Sequence, residues 1–333
     1  MKQEIIIGVN EKDQRLDRFL RKLFKDVELG LIFKDIRKGN IKVNGKKQSI
    51  DYKLQANDTL RIFGYHYKLN TERSQSDINS DDIDYVKPKI CYEDSNVLVV
   101  IKDTNTLVHS NGDKEVCDLT KNVKTHLTKK GDYVYEKNLT FSPSPVNRLD
   151  RNTYGLVMFG KNNKALIELN TIVRERKVQK DYRALIEGKI KDGIYKAYIK
   201  KDHKLNKSVV SNKKSVDSKE IEMEVKMLDT NGVISLIDIR LITGRSHQIR
   251  SHLKYLGNPI VGDLKYGNKE LKNYFFNKYG VENQLLFAYK LSFNEINENM
   301  EMSYLNKKII LMPFPSMFKR IVKQEFKITL RGK

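Results

Sequence analysis

Apolar and polar residues alternate along the first part of the chain in a way that predicts a small unit of helices and strands. In DQRLDRFLRKLF, the apolar residues from Leu16 to Leu23 recur at helical spacing, and the basic side chains fall on the other faces. IKVNGKK predicts a short strand that turns back at Asn44 and Gly45, and DTLRIFG predicts another strand. This pair of helices with a hairpin would span about 60 residues, near the lower limit for independent folding.

Longer apolar runs further along the chain predict the strands of a larger domain. VLVVI and GLVMFG are continuously apolar, as expected of strands that are buried on both faces. KVQKDYRALIEG and VISLIDIRLITG also predict strands, whereas NKALIELNTIVRERK and SHQIRSHLKYLG predict helices. In the second helix Ser246 is a favourable N-cap and Gly257 a favourable end. Runs of strands with few helices between them favour an α+β fold.

Two stretches without an apolar period suggest how the chain is divided. KLNTERSQSDINSDDIDYVKP is polar and predicts a flexible linker over 67–88. KKDHKLNKSVVSNKKSVDSK is basic and predicts a loop or an irregular sheet edge. We therefore expect a small domain over 1–66, the linker, a large domain over 89–325 and a basic tail over 326–333.

The charge of the chain points to a polyanionic partner. Its 333 residues include 63 Lys and Arg against 42 Asp and Glu, a formal net charge of +21. Such an excess favours nucleic acid through its long-range potential, although a lysine-rich solvated surface has the same composition. The first residues lack the apolar core of a signal peptide, and no apolar run approaches the ~18 residues that span a bilayer. We expect a cytoplasmic protein that does not enter a membrane.

The sequence offers little support for a metal or an organic cofactor. Cys91 and Cys117 do not form a C-x-x-C pair, and His247 and His252 lie on different faces of the predicted helix without an acidic third ligand. The glycine motifs that bind dinucleotides or phosphates are absent, as are G-x-S-x-G and H-E-x-x-H. We expect neither a metal nor a cofactor.

One isolated carboxylate stands out in VNRLDRNTYGLVMFGKN. Asp150 lies between Arg148 and Arg151, and nearby positive charge favours the anionic form of an aspartate. An anionic aspartate is a good nucleophile or base, and Thr153 and Gly155 suit a tight turn into the following strand. A turn aspartate that caps local amides has the same pattern, so the residues alone leave a catalytic and a structural role open.

Two other segments carry side chains suited to binding. In TGRSHQIRSH, Arg245 precedes a predicted helix, where the guanidinium and the helix N-terminus suit an anion, either a phosphate or a neighbouring carboxylate. Arg250 is expected to be a structural or phosphate contact. In KDYRALIEG, Tyr182 lies on the strand face of Val178 and Ile186, where it is either a core residue or a ring on which a base stacks.

Together these segments resemble the RluA family of RNA pseudouridine synthases. NRLDRNTYGL resembles the family's H-R-L-D-x-x-T-S-G-L motif, and KDYRALIEG resembles its K-x-Y-x-A-x-x-x-G segment. TGRSHQIRSHL and GNPIVGDLKYG resemble its T-G-R-x-H-Q-I-R-x-H-L and G-x-P-I-x-G-D-x-x-Y-G block. The resemblance covers residues 12–64 and 90–295, the first of these to the RNA-binding module named after small-subunit ribosomal protein four. It implies a mixed, mostly antiparallel sheet with flanking helices.

The resemblance also implies an activity and roles for the site residues. Such enzymes isomerise uridine in RNA by cutting the bond from base to sugar, turning the base and rejoining it through carbon five. Asp150 would be the catalytic carboxylate and Arg245 would pair with it. Tyr182 would stack on the extracted uracil, and Arg148 would help hold the RNA around the flipped nucleotide. Whether Asp150 attacks the sugar, attacks the base or abstracts a proton is left open.

The expected partner is RNA, with large-subunit ribosomal RNA favoured over transfer RNA, and the expected state is a monomer. The side chains expected to contact RNA are basic: Arg15, Arg18, Lys38, Lys42, Arg61 and Arg250. Three residues depart from the family pattern, and two of them, Asn147 and Tyr154, leave open the alternative of a non-catalytic RNA-binding or ribosome-assembly protein of the same fold. Asn147 replaces the usual His, Tyr154 replaces the usual Ser and could narrow the entrance, and Asp103 stands where Lys-Pro is common.

Overall fold

The computed structural model describes residues 2–68, 85–110, 118–202 and 207–330. Its strands are β1 Lys2–Ile6, β2 Ile41–Val43, β3 Thr59–Phe63, β4 Lys89–Glu93, β5 Val97–Lys102, β6 Ser144–Pro145, β7 Tyr154–Gly160, β8 Val178–Glu187, β9 Gly193–Asp202, β10 Lys207–Ser211, β11 Lys219–Thr230, β12 Ile234–Leu241, β13 Leu286–Phe293 and β14 Ile309–Leu311. Its α-helices are α1 Leu16–Leu23, α2 Leu29–Lys38, α3 Leu119–Lys130, α4 Asn163–Arg174, α5 Gln248–Tyr255, α6 Lys269–Tyr279 and α7 Ser316–Phe326. In these described ranges no helix is both long and apolar enough to cross a membrane.

The chain groups into two compact units. The first comprises Met1–Lys87, Thr120–Ser144 and Gly160–Ile167, and the second comprises Pro88–Leu119, Pro145–Phe159 and Glu168–Lys333. Of the predicted linker over 67–88, residues 69–84 lie outside the described part of the chain, as do residues 331–333 of the predicted tail. The predicted domain boundaries stay predictions.

The first unit contains a three-stranded antiparallel sheet in the order β1-β3-β2, with α1 and α2. Leu16, Phe19 and Leu20 are fully buried in its core, which confirms the predicted helix and its apolar face. Asn44 and Gly45 both have positive φ angles, of 51° and 76°, which these two residue types tolerate in a tight turn. The predicted turn after β2 is therefore confirmed.

The second unit is built on a mixed sheet of described strands in the order β10-β9-β11-β12-β8-β13-β7-β5-β4, with β14 paired to β13 and β6 paired to β7. β13 pairs with β7 in parallel, whereas β8 pairs antiparallel with both β12 and β13. Every residue of β5 is buried, as its apolar run predicted. The prediction of an α+β fold with a mostly antiparallel sheet is confirmed.

The basic segment after residue 200 is more regular than its composition predicted. Residues 200–202 end β9, and residues 207–211 form β10, the edge strand of the sheet. Residues 203–206 lie outside the described part of the chain, and residues 212–218 form turns. Val210 and Ile199 are buried together in a small apolar cluster, while Val209 is exposed. The predicted sheet edge is confirmed, but β10 is a regular strand, because Val210 alternates with exposed residues in a short run set among lysines.

Helix α5 packs against the sheet where β8 and β12 lie side by side. Ile249 and Leu253 are buried in one apolar cluster with Tyr182 and Ile239. The helix ends before Gly257, whose φ of +84° matches its predicted role. Its N-cap is His247, not the predicted Ser246, so the helix begins one residue later than expected.

Candidate active site

Asp150 lies in the turn that leads into β7. The Thr153 amide donates to the Asp150 carbonyl at 3.0 Å, and the neighbouring Leu149 packs against the apolar cluster of β8, β12 and α5. Gly155 follows, and a β-carbon placed on it would lie 2.5 Å from the Ala288 β-carbon of β13. The tight turn predicted for Thr153 and Gly155 is thus confirmed, and glycine is required where β7 meets β13.

A buried guanidinium holds the carboxylate of Asp150. Arg250 Nη1 donates to Asp150 Oδ2 at 2.8 Å, while its Nε and Nη2 donate to the two oxygens of Asp263 at 2.7 and 2.9 Å. The Arg250 side chain is 8% exposed and that of Asp263 is fully buried, whereas Asp150 is 25% exposed. Asp150 is therefore the member of this charged triad that faces solvent, and the arginine fixes its orientation.

The two buried members of the triad stabilise each other's charge. Burial opposes the charge of Arg250, but the hydrogen bonds and charges of Asp263 and Asp150 outweigh it and raise the pKa of the guanidinium. Burial likewise opposes the charge of Asp263, but Arg250 and the amides of Lys265 and Tyr266 hold the pKa of this carboxyl below its usual range. Arg250 and Asp263 therefore form a buried ion pair, and Asp150 is hydrogen-bonded to its guanidinium.

The arginines predicted to surround Asp150 do not contact it. Arg148 and Arg151 are exposed, and the described residues give neither an ion pair with Asp150. The predicted pairing of Arg245 with Asp150 is wrong: the Arg245 side chain is exposed, and its amide donates to Gln248 Oε1 at 3.0 Å. Arg250 occupies that position because it lies on the buried side of α5, and so it is not the RNA contact that was predicted.

Tyr182 is a neighbour of Asp150. Its ring is 6% exposed on β8, in the apolar cluster with Ile239 and Ile249. Burial raises the pKa of Tyr182, and the charge of Asp150 raises it further, so the phenol stays neutral. The core role is confirmed, and stacking of a base on this ring stays a prediction.

His247 and Tyr266 lie beside the triad. The Tyr266 hydroxyl accepts from the Ser208 amide at 2.8 Å and lies 2.9 Å from His247 Nδ1. The Arg250 guanidinium lies 5.3 Å from the centre of the Tyr266 ring. Burial lowers the pKa of His247 against the opposing charge of Asp150, which favours the neutral imidazole.

Asp263, Tyr266 and His247 were given no role from the sequence. They lie in GNPIVGDLKYG and TGRSHQIRSHL, so the available signal was the spacing of these motifs. Spacing alone did not show that Asp263 would reach back 13 residues to Arg250. The expectation that His247 and His252 do not share a helical face is confirmed, since His247 is the N-cap and His252 is buried inside α5.

A buried lysine at the end of β5 forms a hydrogen bond to the turn that contains Asp150. Lys102 is fully buried, and its ammonium donates to the carbonyls of Asp103, Thr106 and Arg151 at 2.8, 2.9 and 2.7 Å. Burial lowers the pKa of Lys102 to about 8, against the opposing charges of Asp150 and Asp103. One side chain therefore connects the segment after β5 to the residue that follows Asp150.

The three departures from the family pattern have structural explanations. Asn147 pairs with the backbone of β7: its Nδ2 donates to the Leu156 carbonyl at 3.1 Å and its Oδ1 accepts from the Met158 amide at 2.9 Å. Tyr154 packs edge to face on Phe287, with ring centres 6.1 Å apart. The carboxylate at position 103 forms a surface ion pair with Lys89 at 2.9 Å. The effect of Tyr154 on the entrance stays a prediction.

Two of the predicted RNA contacts have partners within the first unit. Arg15 forms two hydrogen bonds with Asp17, each of 3.0 Å, and Arg61 pairs with Glu4 at 3.0 Å. The remaining ones in this unit are exposed or half-buried, with no ion pair in the described residues: Arg18, Lys38 and Lys42. Nothing in the described residues brings three or more His, Cys, Asp or Glu side chains together as a metal site.

The site brings together one partly exposed carboxylate, a buried guanidinium and a neutral aromatic ring. The family described as RNA pseudouridylate synthase matches residues 96–255, which include Asp150, Tyr182 and Arg250. An RNA pseudouridine synthase of Mycoplasma genitalium is 33% identical over 88% of this chain and 90% of its own length. The ribosomal large subunit pseudouridine synthase C of Buchnera aphidicola is 32% identical over 95% of each chain.

The chain belongs to the RNA pseudouridine synthases and is of the RluA type. The family predicted from the sequence motifs is confirmed, and so is the class of enzyme. A solved human structure, RNA pseudouridylate synthase domain containing 4, has a TM-score of 0.56 and 19% identity, and covers 73% of this chain and 95% of its own. It shows the same fold.

Proposed function

We propose that this pseudouridine synthase acts on uridines of large-subunit ribosomal RNA and that Asp150 is its catalytic carboxylate. The observation that carries the role of Asp150 is its bond to Arg250, beside the ring of Tyr182. The choice of RNA rests on relatives of this chain that are named ribosomal large subunit pseudouridine synthase C, from Buchnera and Escherichia coli. The net charge of +21 supports a polyanionic substrate.

The triad leaves one oxygen of the catalytic carboxylate available to a substrate. Arg250 engages Oδ2 of Asp150, and no donor in the described part of the chain contacts Oδ1. A uridine in folded RNA must leave its stack before a side chain reaches it. The flipped nucleotide would then present its reacting atoms to Oδ1 while the base lies against the neutral ring of Tyr182.

We assign the outer RNA contacts to basic side chains. Arg18 and Lys38 are exposed in the first unit, and Arg148 is exposed two residues before Asp150. Arg15 and Arg61 would have to exchange a carboxylate for a phosphate, so we expect smaller contributions from them. Because every side chain of the triad comes from one chain, a monomer is sufficient for the reaction. A ribosomal RNA substrate would place the enzyme in the cytoplasm.

Tritium release tests the proposed function. Transcripts of large-subunit ribosomal RNA carrying tritium at carbon five of uridine are incubated with the full chain, because isomerisation releases that tritium to water. We expect release from this RNA and not from transfer RNA transcripts made in the same way. A non-catalytic RNA-binding protein would release none, and release from transfer RNA alone would overturn the choice of substrate.

A further inference from the structure

A basic cleft lies in the second unit, and two of its residues are close in sequence to residues of the candidate active site. It has a volume of about 490 Å³ and is formed where the segment from α4 to β8 meets the end of β12 and the turn before α5. Its lining includes five basic residues and no acidic one: Arg174, Arg176, Lys180, Arg240 and Arg245. Lys180 precedes Tyr182 by two residues, and Arg245 precedes Arg250 by five. The same two segments of the chain therefore contribute to the cleft and to the candidate active site.

Lys180 is the innermost cation of this cleft. It lies on the same face of β8 as Tyr182, with the two Cα atoms about 7 Å apart along the strand. Its ammonium has no hydrogen-bond or ion-pair partner in the described ranges, and a β-carbon placed on Gly244 would lie 3.8 Å from its Nζ. Burial lowers the pKa of Lys180. A half-buried ammonium without a partner in the described residues is available to a bound anion.

The rim of the cleft supplies cations that other groups do not neutralise fully. The Arg245 and Arg176 side chains have no ion pair in the described residues, and Arg174 Nη2 donates only to the neutral Thr171 hydroxyl at 3.2 Å. Arg240 lies 3.6 Å from Glu224. Several arginines around one lysine match the donor pattern that phosphates require.

An adjoining cleft provides a contrast. It has a volume of about 950 Å³ and shares Arg176 and Arg240 with the first, but its lining also includes the carboxylates of Glu175, Glu295 and Glu298. These carboxylates would repel an anion and leave its local charge close to balance. An anion is therefore expected in the smaller cleft and not in the larger one.

We propose that the cleft around Lys180 binds a phosphodiester of the RNA strand next to the uridine that enters the active site. This inference rests on the proposed function and adds a contact on the RNA backbone. The sequence left either a phosphate or a neighbouring carboxylate as the anion bound by Arg245. Because the Asp150 carboxylate binds Arg250 instead, the proposed ligand of Arg245 is a phosphate. A backbone contact on the strand face of Tyr182 would keep the flipped base in register with the ring.

Two variants of the full chain test the cleft, Lys180→Met and Arg245→Gln. Binding of a fluorescein-labelled nine-nucleotide oligouridine is measured by anisotropy over a range of salt concentrations, and thermal unfolding is measured in parallel. Each variant is expected to bind about 10- to 100-fold more weakly, with the salt dependence of log Kd less steep by about 0.7. Lys180→Met is also expected to keep the unfolding midpoint at or above that of the unchanged chain, because the ammonium has no hydrogen bond or ion pair to lose within the described residues.

Lys226→Met is the matched control. Lys226 is an exposed lysine of β11 in the same sheet. The Lys226→Met variant should therefore keep the oligouridine affinity and the unfolding midpoint of the unchanged chain. Unchanged oligouridine affinity in Lys180→Met, or weaker affinity with a lowered unfolding midpoint, would overturn the proposal. Tritium release by the unchanged chain is measured alongside. Its absence would reject the proposed function, while the binding comparison would still decide whether the cleft holds a phosphate.

Discussion

His252 is a buried imidazole on α5, two residues after Arg250. The residue is 1% exposed, its Nδ1 has no hydrogen-bond partner in the described ranges, and the ring of Tyr195 packs against it edge to face. Burial lowers the pKa of His252 to about 4, whereas a histidine in an unfolded chain titrates near ~6.5. The folded protein therefore holds this side chain neutral in mildly acidic solution.

Stability should consequently fall as the solution is acidified through this interval. Between pH ~6.5 and the folded pKa of about 4 the unfolded chain binds a proton at His252 that the folded chain does not. The contribution of neutral His252 to the free energy of unfolding is complete above pH ~6.5. It is lost progressively at lower pH, up to about 3 kcal/mol. His252→Leu should abolish this part of the pH dependence, measured as urea midpoints from pH 4 to 8.

Another histidine provides the control for that measurement. The His109 side chain is 62% exposed and its Nδ1 lies 3.8 Å from Asp118 Oδ2, so His109→Gln removes a surface histidine instead of a buried one. Identical pH profiles for His252→Leu and the unchanged chain would show that the buried imidazole is not the source of the acid sensitivity.

Individual residues also show where sequence reasoning succeeded and where it failed. Asp150 and Tyr182 could be predicted, because an isolated acid and a strand aromatic lie within recognisable motifs. The partner of Asp150 could not, since choosing between Arg245 and Arg250 depends on where α5 begins. His247, not Ser246, caps that helix, and this turns Arg250 inward towards the carboxylates and leaves Arg245 outside.

Among the elements, the turn that contains Asp150 is held by hydrogen bonds to two strands, β5 and β7. Lys102 at the end of β5 binds the Arg151 carbonyl, and Asn147 binds the backbone of β7 on the other side of Asp150. Buried carbonyls that lose their donor each cost about 1–3 kcal/mol. The turn is therefore held in one conformation by side chains that need not touch the substrate.

Replacing Lys102 should loosen the turn more than it affects RNA binding. Lys102→Met leaves three carbonyls without their donor, so we expect kcat in single-turnover tritium release to fall at least ~10-fold and the unfolding midpoint to decrease. Affinity for labelled oligouridine should change by less than ~3-fold, because Lys102 is buried away from phosphates.

The neighbouring Lys89 makes a surface ion pair with Asp103 and is 59% exposed. Lys89→Met should therefore leave both turnover and stability nearly unchanged. Equal turnover in Lys102→Met and Lys89→Met would contradict the role given to the buried lysine.

The strands differed in how much of them their sequences predicted. β5 and β7 could be predicted because strands buried on both faces are continuously apolar. In β11 the buried residues Ile221, Met223 and Val225 alternate with charged residues. This period of two is typical of a strand with one buried face. β10 could not be predicted with confidence from two valines among lysines, since its position at the edge is set by pairing with β9.

For the whole molecule, charge and catalysis reside in different sets of residues. The excess of +21 comes from the lysines and arginines of the whole sequence, whereas the proposed catalytic triad carries two carboxylates and a single guanidinium. Affinity for RNA should rest on the first set and turnover on the second. Composition could predict the kind of partner, but only the folded chain brings Asp150, Arg250 and Asp263 together over a sequence separation of more than 100 residues.

The most direct test of this account is turnover and binding by the Asp150→Asn variant. Tritium release from labelled large-subunit ribosomal RNA should fall by more than ~10³-fold, because the amide cannot act as a nucleophile or base. Affinity for the same RNA should stay within ~3-fold of the unchanged chain, and Asp103→Asn at the surface should retain full turnover. Release by Asp150→Asn at the unchanged rate would contradict the assignment of Asp150 as the catalytic carboxylate.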